Sequence, residues 1–442
     1  MTPNTIIQGD CVEKMKEFPA DSIDLIATDP PYGIGFMGKE WDTFKPDVIQ
    51  KGKVGSMRKD RALAKKAETA RNRERGRIDT GGAMEAARYD HTPRGGAKFR
   101  EWFTGVSREM LRVLKPGAFA FVCIGARQDS VAAAITAMTE AGFKTDFTSI
   151  FWTYASGFPK AANLQKKGGP AGAYGGFQPK PAVEVIVVAM KPMSEKTFLA
   201  QVKKNGKGTT WLDDCRIPTD DKLENQGRSP EASVSKGIYG NSRAQETHQT
   251  EGQKKGRFPA NLLISDDVLN DNQTRKAGKN KEQKGTGGIW QKGTNLPIGP
   301  EYGDSGSYSR YFSLDAWWAS TFPFLIVPKV AKSEKNKGLS GFEGKTVSDG
   351  PAVAADNAFH FQRGKSVRKN THPTVKPLQL MSYLIALGSR PGDVVLDPFL
   401  GSGTTALAAK QLGRKYIGIE KETDYINIAE KRINNIPNSL FL

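Results

Sequence analysis

Cysteine is nearly absent from this chain. Its three cysteines, Cys11, Cys123 and Cys215, stand far apart and form no Cys-x-x-Cys pair. That excludes a disulfide framework and fits a reducing cytoplasm. Histidine is as scarce: His91, His248, His360 and His372 show no ligand spacing, so no metal site is expected. Long apolar runs are missing, and with them any transmembrane helix. No basic amphipathic helix argues for a membrane surface. The opening Met1-Thr2-Pro3-Asn4 lacks the charged and apolar stretches of an export signal, so a cytoplasmic location is expected. Acidic residues are in deficit. The chain has 65 Lys and Arg against 47 Asp and Glu, a net charge of +18. Such an excess favours a polyanionic partner, with nucleic acid first.

A chain of 442 residues can bury a sizeable core in roughly two or three domains. Its patterning starts as strand, helix, strand over residues 6–10, 11–18 and 23–28. Phe99, Phe103, Val106, Met110 and Leu114 recur at helical spacing. Lys115-Pro116-Gly117 stops that helix, and residues 118–124 read as a buried strand. A helix over 128–141 closes at Gly142. Strands over 148–154 and 182–190 follow with no helix between them, which allows an antiparallel edge pair. The alternation resumes late: helix 377–387, strand 394–397, helix 404–412, strand 415–420, helix 424–435. This is an α/β pattern with a mostly parallel sheet, split by a polar region.

Two motifs carry chemistry. Asp29-Pro30-Pro31-Tyr32 follows the strand ending at Thr28. A carboxylate, a carbonyl that cannot continue a ladder and an aromatic face then stand at a sheet edge, where open α/β sheets bind ligands. That set suits a flat base with an exocyclic amine. A strand-ending turn is the plain alternative. The second motif is Asp397-Pro398-Phe399-Leu400-Gly401-Ser402-Gly403-Thr404-Thr405, between a strand and a helix. Its glycines allow a tight turn and close ligand approach, and the helix amides point at the ligand. Glu420 ends the next strand, placed to accept from ribose hydroxyls. The loop also satisfies a loose dinucleotide fingerprint, so a nicotinamide oxidoreductase stays open. Asp397 argues for S-adenosylmethionine, because it can take an ammonium and would repel a pyrophosphate.

Together these motifs resemble the beta class of DNA amino-methyltransferases, in which the catalytic tetrapeptide precedes the cofactor loop. Gly9-Asp10-Cys11 resembles the segment that meets the cofactor's adenine. His372-Pro373-Thr374-Val375-Lys376-Pro377 resembles the one lining its methionine side. Residues 150–160 match more loosely a segment near a flipped base. Residues 180–184 and 256–261 also look like those of phage and prophage methyltransferases. The resemblance implies a Rossmann-like methyltransferase sheet with circularly permuted motif order and an inserted irregular target-recognition region. It implies S-adenosylmethionine as cofactor and double-stranded DNA as partner, with transfer to adenine N6 after base flipping. Cytosine N4 is the alternative, since the family tends to place Ser first for cytosine and Asp first for adenine; an RNA methyltransferase and a DNA-binding module with a degenerate cofactor pocket are the further alternatives. It implies catalysis by Asp29, Pro30, Pro31 and Tyr32. Cofactor contacts would come from Asp10, Cys11, His372, Thr374, Lys376, Asp397, Phe399, Gly401, Ser402, Gly403, Thr404, Thr405 and Glu420. A homodimer and an accompanying restriction enzyme are compatible with it.

On this reading residues 1–40, 99–192 and 371–442 form the catalytic domain, the last holding the cofactor. Residues 41–98 are a basic insertion and 193–370 the target-recognition region. Lys and Arg outnumber Asp and Glu about two to one over 45–100. Arg58, Lys59, Arg61, Lys65, Lys66, Arg71, Arg73, Arg75 and Arg77 are the candidate phosphate contacts. Trp211, Arg216, Arg257, Trp290, Trp317 and Trp318 are candidates for base or groove contact, and several of these must be core.

Overall fold

The computed structural model describes residues 2–32, 93–154, 162–165, 168–175, 177, 179, 181–219, 251–265, 269, 275–276, 305–321, 336, 339, 345–347, 366–368, 370, 372 and 375–435. The basic insertion from Arg58 to Arg77, together with Thr374 and Trp290, lies outside them. Among the described residues, one eight-stranded sheet organises the fold. Its strands are β1 (Thr5–Gln8), β2 (Ile23–Thr28), β3 (Leu114–Gly125), β4 (Ile150–Thr153), β5 (Val183–Met190), β6 (Leu262–Ile264), β7 (Val394–Asp397) and β8 (Lys415–Glu420). Their order is β1-β8-β7-β2-β3-β5-β4-β6.

Alternation builds a core on each face. Leu25 and Ala27 of β2 join Phe119, Phe121 and Cys123 of β3 in one cluster. Ile26, Ala120, Val122 and Ile124 join the other. Successive strand residues point to opposite faces, so each strand serves both layers. Helices α6 (Leu378–Gly388) and α7 (Thr404–Gln411) cover the first face. Helices α2 (Pro93–Val113) and α3 (Gln128–Ala141) cover the second. Gly142 closes α3 at φ 106°, as its sequence position suggests. Helix α1 (Cys11–Lys16) precedes β2, α4 (Phe198–Asn205) follows β5, and α8 (Thr423–Asn434) ends the described chain.

Strand β3 differs from the sequence expectation. It begins at Leu114, straight from α2, and runs through Lys115-Pro116-Gly117. Pairing with β2 jumps there, from Ile23↔Leu114 to Leu25↔Phe119. Gly117 at φ 81° and a proline without an N–H make the bulge possible. The β4–β5 pair is antiparallel as anticipated, yet it is not the edge. β5 lies between β3 and β4, and β6 covers β4 in parallel. Residues 262–264 come from the long polar region, so part of that region completes this sheet. Helix α5 (Leu314–Thr321) packs nearby with Trp317 and Trp318 buried. These two tryptophans are core rather than groove contacts.

Strands β7 and β2 pair in parallel at the middle of the sheet. The chain leaves β2 for β3 on one side and β7 for β8 on the other. That is a topological switch point, and the carboxyl ends there carry Asp29 and Asp397.

Candidate active site

A cleft of about 1200 Å³ opens over this switch point, and both motifs line it. On the side of the tetrapeptide, Asp29 follows β2 directly. Its Oδ1 accepts from the Tyr32 hydroxyl at 2.8 Å and its Oδ2 from Lys376 Nζ at 2.5 Å. The Tyr32 ring lies against the end of β3, where a Cβ on Gly125 would stand 3.4 Å from Cε2. Burial and then the Asp29 carboxylate push the Tyr32 phenol well up, so its hydroxyl remains a donor. Pro30 is buried beside them. Lys376, expected at the cofactor, lines the same cleft and reaches Asp29 and Glu184. Burial works against its charge, but those two carboxylates hold it ionised, well above the usual lysine range.

On the loop side the acids are internal acceptors. Asp397 Oδ1 accepts from Thr28 Oγ1 at 2.5 Å and the Phe399 amide at 3.0 Å; Oδ2 accepts from Thr405 Oγ1 at 2.6 Å. Burial lifts its carboxyl from 3.8 to about 6, against the pull of those hydrogen bonds. Glu420 Oε2 accepts from the Gly401 amide at 2.8 Å, and Oε1 from the amides of Lys421 and Glu422. Burial raises its carboxyl too. The Gly403 amide donates to the Leu400 carbonyl. Asp10 caps α1 through the Val12 and Glu13 amides, and burial, then Asp10, push the Cys11 thiol up to about 12. His372 stands edge-on to Tyr425 at 4.5 Å, and a Cβ on Gly401 would come 2.7 Å from its Nε2. Phe399 faces Trp102 at 5.6 Å and gives the cleft an apolar wall.

This donor set decides between two ligand classes. The amides of Phe399, Gly401 and Gly403 already donate inside the protein, so they are not free to hold a phosphate. Three carboxylates, of Asp10, Asp397 and Glu420, line the same wall. A pyrophosphate would meet like charge there, whereas hydroxyls and an ammonium would find acceptors. The residues therefore fit the nucleoside and amino-acid parts of S-adenosylmethionine and do not fit a dinucleotide.

A family model described as DNA methylase, N6_N4_Mtase, matches residues 23–431. The chain belongs to this family. The type II methyltransferase M.HinfI of Haemophilus influenzae is 53% identical over 77 residues, 17% of this chain and 21% of that protein. M2.LlaDCHI of Lactococcus lactis subsp. cremoris is 51% identical over 63 residues, 14% of this chain and 23% of that protein. The chain thus matches about a fifth of the length of these curated relatives. Among solved structures, the cytosine-N4-specific PvuII DNA methyltransferase aligns with 99% of this chain and 89% of its own, at 14% identity and TM-score 0.44. M1.HpyAVI, solved in complex with SAM, aligns with 97% and 98% at 15% identity and TM-score 0.36.

Sequence reading finds the motif positions; several of their neighbours escape it. Arg432 is buried and donates through one nitrogen to the Ser402 carbonyl, Ser402 Oγ and Thr404 Oγ1. A signal for it exists: Arg432 follows Ile428 by one turn on an otherwise apolar face. Thr28 and Glu184 give no such signal. Trp152, from the segment expected near a flipped base, is buried and donates to Ser265 Oγ at 2.9 Å, with the Tyr154 ring tilted against it at 4.8 Å. Arg257 stacks over Tyr311, and Arg216 over Phe258 with Asp213 as its ion partner. Trp211 lies under Arg390. Among the described residues, no three His, Cys, Asp or Glu are placed to hold a metal, and no helix is long and apolar enough to cross a membrane.

Proposed function

We propose that this chain transfers a methyl group from S-adenosylmethionine to the exocyclic N6 of adenine in double-stranded DNA. The observation that carries the reading is the meeting of Asp29 and the glycine loop in one cleft, on neighbouring strands tied by Thr28 and Asp397. Membership of the DNA methylase family supports the reaction class. The net charge of +18 supports a nucleic-acid substrate.

The cofactor would lie between Asp10, Phe399, the loop from Gly401 to Thr405 and Glu420, and it would supply an electrophilic methyl. The residues of this chain account for the rest. An exocyclic amine is a weak nucleophile because its lone pair is delocalised into the ring. The Asp29 carboxylate and the Pro30 carbonyl accept its two hydrogens, which localises the pair on nitrogen. Pre-placed acceptors of this kind are a leading contribution to catalysis. The Tyr32 face stacks on the base, which must leave the duplex to reach the cleft. Alignment within the cleft adds the orientation term.

The test is incubation with labelled S-adenosylmethionine and unmethylated duplex DNA, followed by digestion to nucleosides. Label in N6-methyladenine is expected. Label in N4-methylcytosine alone would reassign the base, and label in RNA but not duplex DNA would reassign the substrate. Asp29→Ala is expected to abolish transfer and leave cofactor binding intact.

A further inference from the structure

A part-buried ammonium sits between two carboxylates in the cleft. Lys376 Nζ is 2.5 Å from Asp29 Oδ2 and 3.2 Å from Glu184 Oε2. The side chains of Lys376, Asp29 and Glu184 are 10%, 17% and 20% exposed. They arrive from three separate segments: the end of β2, the start of β5 and the stretch before α6. Among the described residues, Tyr32, Cys123, Tyr154 and Asp397 also face the cluster, and none is a cation. One ammonium and two carboxylates leave the cluster a single net negative charge.

We propose that Lys376 and Glu184 are positioning residues that hold Asp29 in place as an acceptor, within a cluster of net charge −1. This rests on the methyl-transfer reading above. Without Lys376, Asp29 and Glu184 become two part-buried carboxylates of net charge −2 with no shared counter-ion, and their repulsion turns Asp29 out of its accepting position. An Asp29 carboxylate turned away no longer presents its acceptor to the amine. Without Glu184 the cluster becomes neutral. During transfer the amine's lone pair forms the new nitrogen–carbon bond, and the pair of the breaking carbon–sulfur bond goes to sulfur. The nitrogen carries positive charge until one N–H proton passes to Asp29 and then to solvent. A cluster of net charge −1 favours that cation, and a neutral one does not. Glu184 thus offsets the charge that Lys376 must bring in order to hold Asp29.

The test compares wild type, Lys376→Met, Glu184→Gln, the double variant and Lys376→Arg. Single-turnover transfer reports the chemistry, and calorimetric titration of S-adenosylmethionine reports binding. Each of Lys376→Met and Glu184→Gln should slow transfer about 100-fold. The double variant restores a net charge of −1 and should be at least about tenfold faster than Lys376→Met, a non-additivity that a merely structural pair would not give. Cofactor affinity should stay within about twofold throughout, as expected for residues acting on Asp29 rather than on the cofactor. Lys376→Arg keeps the charge, so it tests the idea even where Lys376→Met melts too low to assay; it should retain about a tenth of the rate or more. A double variant as slow as the product of the singles, or a Lys376→Met defect that lies in cofactor affinity, overturns the inference alone. A wild type that methylates no nucleic acid overturns the underlying reading.

Discussion

The Thr28 hydroxyl donates to Asp397 Oδ1 at 2.5 Å, between residues 369 positions apart in sequence. Thr28 immediately precedes the tetrapeptide Asp29-Pro30-Pro31-Tyr32, and Asp397 opens the glycine loop. One hydrogen bond therefore fixes the two halves of the site to each other. Thr28→Val keeps the shape and removes the donor, leaving a buried carboxylate oxygen one partner short. A loss of about 1–3 kcal/mol is expected. Urea denaturation measures it, and an unchanged midpoint would show that the bond contributes nothing.

The same carboxylate sets a pH dependence. Its folded value of about 6 lies above the ordinary 3.8. A raised carboxyl favours the folded state only while protonated. Its stabilising contribution is complete below about pH 4 and fades as pH rises to about 6. Asp397→Asn stays neutral, so its stability relative to wild type should climb across that window by up to roughly 3 kcal/mol. Paired denaturation curves at pH 4 and pH 7 decide it. A difference that does not move with pH would show that burial leaves this carboxyl where it is in the unfolded chain.

Gly401 stands at φ 53° with the His372 ring over it. An alanine there would place its Cβ 2.7 Å from Nε2, with strain in the backbone as well. Gly401→Ala should weaken cofactor binding by about tenfold or more, since each such strain costs about 1–3 kcal/mol. DNA affinity should hardly change. Titration of each ligand separately checks the split, and equal losses in both would point to global unfolding.

Arg432 holds the loop from beneath through Ser402 and Thr404. Arg432→Met fills most of the volume but leaves the Ser402 carbonyl without that donor. Hydrogen bonds from a charged donor contribute about 1.5–3 kcal/mol, and a destabilisation of that order is expected. Cofactor binding should fall with it, because the loop loses its support. Thermal melts with and without S-adenosylmethionine measure both effects. A variant with normal melting and normal cofactor shift would remove Arg432 from this role.

On the proposed function, a chain of net charge +18 should release many counter-ions when it binds DNA. Affinity should fall steeply between low and moderate salt. Fluorescence anisotropy at several salt concentrations gives the slope, and a flat response would remove phosphate contact from the role assigned to the basic insertion.

Local signals are enough for much of this molecule. Apolar runs mark β2, β7 and β8 to the residue, and Gly142 marks the end of α3. Both motifs announce themselves, because prolines and closely spaced glycines impose backbone shapes that few other residues allow. The composition alone points to a polyanionic partner. Partnerships are beyond its reach. The sequence allows Lys376 to be read with the cofactor, and it does not show that β6 completes the sheet from a polar region. It places Asp397 and Glu420 at a ligand without revealing that amides and hydroxyls of the protein already occupy much of their accepting capacity. Such facts depend on which strands lie side by side. The parallel pairing of β2 with β7 is what brings Thr28 to Asp397, and packing before α6 is what brings Lys376 to Asp29. Contacts across hundreds of residues are set by the burial of a whole sheet, and no window along the chain contains that free energy.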